Sequence, residues 1–116
     1  EHNGDGTFTK KQLPLPAQVS SGHDILVDDL NNDDYKDLVL IGNDYEISTQ
    51  LGRMDALHGI ILRNNQKGSF EWLDNQNFNI EGAARKAAKI KVKNKEFYII
   101  GRNNDIPVFL SKKSYK

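Results

Sequence analysis

One stretch limits this chain more than any other. An apolar run, Ile25-Leu26-Val27, enters an acidic loop, and a second apolar run, Leu38-Val39-Leu40-Ile41, leaves it. Side-chain oxygens recur at alternate loop positions, at Asp29, Asn31 and Asp33, then again at Asp37 after a gap at Tyr35. A chain curling around a hard cation presents alternate residues inward, and a backbone carbonyl can fill such a gap. The expected ligands are the side chains of Asp29, Asn31, Asp33 and Asp37 and the main-chain oxygen of Tyr35. Five carboxylates (Asp28, Asp29, Asp33, Asp34 and Asp37) lie close together against one local cation, Lys36. Held within about 4 Å, each like-charged pair repels by roughly 1–4 kcal/mol, depending on solvation. A folded loop of that composition calls for a counter-ion, whereas a solvated acidic turn does not.

The same residues open an EF-hand loop, and that alternative fails on its second half. An EF-hand needs a bidentate Glu at its twelfth position, Gly at its sixth, and helices on both sides. Counting from Asp29, the twelfth residue is Leu40 and the sixth is Asp34. The flanks are short, apolar and β-branched, which predicts strands. All candidate donors are oxygens and there is no cysteine, so zinc and softer metals do not suit the set. A flexible carboxylate loop suits calcium better than magnesium, which demands a stricter octahedron.

The rest of the chain predicts β structure. Asn3-Gly4-Asp5-Gly6 is a tight turn, and Phe8 to Leu13 reads as a strand ending at Pro14 and Pro16. The partner of that strand is expected before Glu1, as in a chain cut from something longer. Tyr45 to Leu57 reads as a long connecting loop around Gly52-Arg53-Met54-Asp55-Ala56. Strands are expected at Gly59 to Arg63, Ser69 to Leu73, Phe97 to Ile100 and Ile106 to Leu110, and Asp74 to Gly82 as loop. Ala84 to Lys89 is helix-compatible, but Ile90 and Val92 alternate with lysines, so the second half of this stretch reads as a strand. A turn is expected at Asn94-Lys95, and fraying over Ser111 to Lys116.

Parts of the sequence recur. Asn3, Gly6 and Phe8 return in register as Asn65, Gly68 and Phe70, and Ile41-Gly42-Asn43 returns as Ile100-Gly101-Arg102-Asn103. The acidic loop has no such second copy: its counterpart is Lys93-Asn94-Lys95-Glu96, where no metal is expected. A period of about 60 residues carrying four strands fits one blade of a β-propeller. The expected architecture is all-β: the outer strand of a preceding blade over 1–20, a calcium-loop blade over 21–80 and a partial following blade over 81–116. Two blades close no ring, so their faces must pack on further blades, other copies of the chain or a partner.

The segment Asp29-Leu30-Asn31-Asn32-Asp33-Asp34-Tyr35-Lys36-Asp37-Leu38 resembles the calcium loop of FG-GAP/VCBS repeats, found in integrin alpha-chain propellers and many secreted bacterial proteins. The family usually carries Gly where this chain has Asp34. Asn3-Gly4-Asp5-Gly6-Thr7-Phe8 looks like the turn before the outer strand of such repeats. Gly42-Asn43, Gly52-Arg53-Met54-Asp55-Ala56 and Gly59 look like the C-terminal propeller end of ASPIC/UnbV (CRTAC-like) proteins. The resemblance implies a non-catalytic, calcium-binding propeller module for binding, adhesion or scaffolding. It also implies a secreted, extracellular or outer-membrane setting.

Other functions are weighed against the same residues. A carbohydrate-binding propeller would use Trp72, Tyr45 and Tyr35 as stacking platforms, although a sole tryptophan more often packs in a core, here between blades. An enzyme is not expected: His2, His23 and His58 have no nucleophile or base at motif spacing. His23-Asp24, and Asp55 with His58, read as surface polar residues, and Arg53 with Asp55 as an ion pair. Sixteen basic and sixteen acidic residues leave zero net charge, so no overall field attracts nucleic acid or an anionic membrane. Lys86, Lys89, Lys91, Lys93 and Lys95 alternate as the wet face of a strand. No apolar run approaches the roughly 20 residues of a membrane-spanning helix.

Overall fold

The computed structural model describes residues 1–18, 22–42, 59–77, 80 and 83–112. They form two antiparallel sheets, and no α-helix occurs among them. The first sheet is a meander of β1 (Asp24–Asp28), β2 (Asp37–Ile41), β3 (Ile60–Asn64) and β4 (Phe70–Asn77). The second is a meander of β5 (Ala84–Val92), β6 (Lys95–Arg102) and β7 (Val108–Ser111).

The burial of each strand explains its composition. Leu26, Val39, Ile41 and Ile61 on one face of the first sheet pack with Ala84, Tyr98 and Ile100 of the second. Leu30 and Ile80 close the same core. On the opposite face of the first sheet, Leu40, Ile60 and Leu62 pack under Leu13, Ala17, Leu38 and Phe70. The two inner strands, β2 and β3, are therefore apolar on both faces, so they read as continuous hydrophobic runs rather than alternating ones. In β1 the alternation survives: Leu26 and Asp28 turn inward, and Ile25 and Val27 turn out. Each Leu or Ile fully removed from water here stabilises the fold by roughly 1.5–3 kcal/mol.

Three expectations need correction. Phe8 to Leu13 is not a strand. His2 and Phe8 form an isolated bridge, and the chain then turns at Pro14 into a short 3-10 segment, Leu15–Gln18, where the Ala17 N–H donates to the Pro14 carbonyl at 3.0 Å. Leu13 and Ala17 pack on the first sheet, so the segment lies across a sheet face instead of adding to a ladder. The helix-compatible Ala84 to Lys89 is strand throughout. Pairing with β6 runs from Ala84 to Val92 and overrides a local propensity of a few tenths of a kcal/mol per residue. Asp74 to Asn77, read as loop, continues β4, although the β3–β4 register breaks between Ile60 and Leu62. Tyr45 to Leu57, with the Gly52–Ala56 phrase, lies outside the described residues, as do Tyr45, Arg53, Asp55 and His58.

The two asparagine-led turns have the same geometry. The Asn3 N–H donates to the Thr7 carbonyl at 2.9 Å, and the Asn65 N–H to the Ser69 carbonyl at 3.0 Å. The Asn3 amide reaches the Thr7 hydroxyl, and the Asn65 amide the Ser69 hydroxyl. Gly6 at φ 87° and Gly68 at φ 86° both occupy the left-handed region that glycine alone enters cheaply. The β5–β6 turn sits at Lys93-Asn94, one residue earlier than expected. Val92 pairs with Lys95 across it, and φ is 47° and 64° at its two central residues, the two-residue turn whose twist matches an antiparallel pair.

Candidate functional site

The acidic loop joins β1 to β2, whose last pair is Asp28 opposite Asp37. Two carboxylates facing each other across a strand pair repel unless each is compensated. They are compensated in different ways.

Asp37 is 1% exposed. One of its oxygens accepts the Leu30 N–H at 3.1 Å and the other the Asn64 N–H at 2.9 Å. It thus ties the loop to the end of β3, and the Asn64 amide adds a bond to the Lys36 carbonyl at 3.2 Å. No lysine or arginine pairs with Asp37 among the described residues. A carboxylate buried without a cation is costly, because hydrogen bonds from neutral donors only partly replace its hydration.

Within the loop, Asp29 accepts the N–H of Asp33 at 3.1 Å and of Asp34 at 2.9 Å, one at each oxygen. Asp33 accepts the Tyr35 N–H at 3.0 Å, the Asn31 amide at 2.9 Å and the Gln66 amide at 3.1 Å. The Asn31 and Tyr35 bonds outweigh the small desolvation and hold the Asp33 carboxyl below its ordinary value. Asn32 and Asp34 take left-handed conformations, φ 59° and 68°. That curls the chain so that the Asp33 and Asp34 N–H groups fold back onto Asp29, and the Asn31 amide meets Asp33. Asn31 Oδ1 is buried and accepts no hydrogen bond. Such orphaned acceptors are uncommon and call for an explanation.

These residues fit a cation by donor chemistry: every donor is an oxygen, and a carboxylate oxygen holding one N–H retains lone-pair capacity. Their carboxylates do not converge. Among the described residues no three acidic or imidazole groups stand at ligand separation from one another; each carboxylate is turned to loop N–H groups. Tyr35, expected to ligate by its carbonyl, sits at the exposed end of the loop with its ring in solvent.

Asp28 belongs to a different arrangement, one that sequence reasoning missed. It is 3% exposed and points into the joint between the sheets. The Tyr98 hydroxyl donates to it at 2.6 Å, and the ammonium groups of Lys89 and Lys112 each lie at 3.1 Å. The same two lysines hold Glu96, at 3.1 and 3.3 Å. Burial alone would raise the Asp28 carboxyl, but the Tyr98, Lys112 and Lys89 bonds outweigh it and leave the group at about 2. Asp28 therefore does not add to the loop's repulsion, because cations from far along the chain neutralise it. Asp24 makes a second link across the joint, accepting the Ala87 N–H at 2.8 Å and pairing with Lys86 at 3.2 Å. Lys86 and Lys89 are thus cross-sheet partners rather than a purely wet face. No local signal marked the contacts of Asp24 and Asp28 with the second sheet, whose partners lie some 60 to 85 positions away.

The remaining candidates are dispersed. His2 accepts the Gly4 N–H and stacks edge-on against Phe8, and His23 contacts Arg85. Trp72 lies on the outer strand β4, 39% exposed, so within this chain it is not enclosed. No protein-family model, curated protein or solved structure matches the chain.

Proposed function

We propose that this chain is a non-catalytic β-propeller repeat module that works by binding or scaffolding in a secreted, extracellular or outer-membrane setting. In this reading, calcium stabilises the Asp29–Asp37 loop. The observation that carries it is Asp37, a fully buried carboxylate with no cation partner among the described residues. The orphaned Asn31 oxygen in the same loop supports the same reading. Asp29, Asn31, Asp33 and Asp37 would hold the ion by side chain and Tyr35 by its carbonyl. The ion would supply the positive charge that the loop lacks.

Two stacked meanders with apolar outer faces support a blade assignment. Ile25 and Val27 on one outer face, and Phe109 at 63% exposure on the other, leave surface for neighbouring blades or other copies of the chain. Sedimentation over a concentration range tests this. Association weakened by Phe109→Lys is the expected result, and a monomer at all concentrations sinks the packing argument.

The calcium reading is tested by thermal unfolding with saturating calcium and with chelator. At a hundredfold excess over Kd the ion should add about 2.7 kcal/mol, a shift of roughly 8–15 °C in a chain of this size. Asp37→Asn should abolish the response. Coincident transitions for the unmutated chain would remove calcium from the account. A second reading, a glycan-binding propeller, draws on the exposure of Trp72 and Tyr35; Trp72→Ala should then abolish retention on a glycan array without altering the melting temperature.

A further inference from the structure

A second feature lies beside the acidic loop, and it stands apart from the calcium reading. The tip of that loop at Asn32, the β5–β6 turn and the end of β7 border an open cleft of about 640 Å³. Lys91, Lys95, Lys112 and one carboxylate, Glu96, line it, together with Asn94 and Phe97.

Not every ammonium group that lines this cleft is matched by a carboxylate. Lys89 and Lys112 are matched by Asp28 and Glu96, so that network is neutral. Lys112 is held by these partners at 17% side-chain exposure and forms a fixed wall. Lys91 and Lys95 are exposed and form no ion pair among the described residues; Lys93, at the turn between them, is the same. Three ammonium groups thus crowd one hairpin end, and two of them line a concavity, where low-dielectric walls focus their field.

We infer that this cleft binds an acidic saccharide, with a sulfate or carboxylate on Lys91 and Lys95. The rest of the lining favours a sugar over a bare anion. Half-buried Phe97 offers apolar surface to a ring face, and the Asn32 and Asn94 side chains border positions where hydroxyls would lie. An inorganic oxyanion would use neither and would leave most of the volume empty. A nucleic acid strand would call for several aromatic platforms in a row, and the cleft has one.

The test uses the full chain at low ionic strength, in chelator, titrated with four probes: a sulfated oligosaccharide, its uncharged counterpart of equal length, sodium sulfate and a single-stranded oligonucleotide. The expected result is binding of the sulfated oligosaccharide alone. The double variant Lys91→Gln/Lys95→Gln should weaken it roughly five- to tenfold, in line with two solvent-exposed ion pairs, and added salt should weaken it further. Both side chains are exposed and make no ion pair among the described residues, so the fold should stand, and Lys95→Glu provides an independent second variant. Failure of the sulfated sugar to bind overturns the inference. So does equal binding by the double variant, by the uncharged sugar, by sulfate alone or by the oligonucleotide.

Discussion

At the scale of single residues, the decisive groups are two carboxylates facing each other across one strand pair. Asp28 is satisfied by a hydroxyl and two ammonium groups, and its stabilising effect depends on pH. Its carboxyl sits at about 2 in the fold against 3.8 in the unfolded chain. A lowered value stabilises above pH ~4 and is lost as pH falls toward 2, a change of at most about 2 kcal/mol. Urea unfolding in chelator at pH 6 and pH 3 should show that loss, and Asp28→Asn should reduce the difference between the two, leaving the part due to Asp24, Asp33 and Glu96, whose carboxyls are also held low. Tyr98→Phe removes the shortest bond to a buried charge and should cost about 1–3 kcal/mol at neutral pH. Asp34 runs the other way. It is held at φ 68°, and its carboxylate makes no hydrogen bond among the described residues. Asp34→Gly relieves the left-handed strain and should stabilise the fold by about 0.5–1 kcal/mol in chemical denaturation.

At the scale of elements, much of the fold can be read from the sequence, and the errors share one cause. The strands around the acidic loop, the strands at Ile60 and Phe97 and the glycine turns all announce themselves through short-range pattern. Apolar runs on both sides of Asp29–Lys36 demand a strand-loop-strand corner, and Gly6 and Gly68 stand where only positive φ closes the turn. Gly68→Ala should therefore cost about 1 kcal/mol by thermal denaturation, since its Cβ would have space but the wrong backbone region. What could not be read was set by partners distant in the chain. Ala84 to Lys89 has a helical composition and becomes a strand because β6 lies alongside it. Phe8 to Leu13 has a strand composition, yet only its last residue, Leu13, joined by Ala17, settles over Leu40, Ile60 and Leu62. The loop's side-chain oxygens were visible as a spacing, but Asn64 and Gln66, which hold Asp37 and Asp33 from β3 and the turn after it, carry no mark of that role. Asp28 was counted with its neighbours because sequence alone does not show which carboxylate turns inward.

At the scale of the whole molecule, the joint between the two sheets and the acidic loop share a strand end. Asp28 is fastened to the second sheet, and the next residue, Asp29, anchors the curl of the loop. The two residues share one stretch of backbone, which gives events on the two sides a physical route by which to couple. Thermodynamic reciprocity then fixes the size of the exchange in both directions. If an ion drawn into the loop tightens the seating of one sheet on the other, loosening that seating must weaken the ion's hold by the same factor. Tyr98→Phe makes the comparison direct: its loss of calcium affinity in a titration should equal, in free energy, the extra protection that calcium fails to give it against unfolding. A cation at the rim would thereby serve as a gauge of how firmly the two halves are locked together.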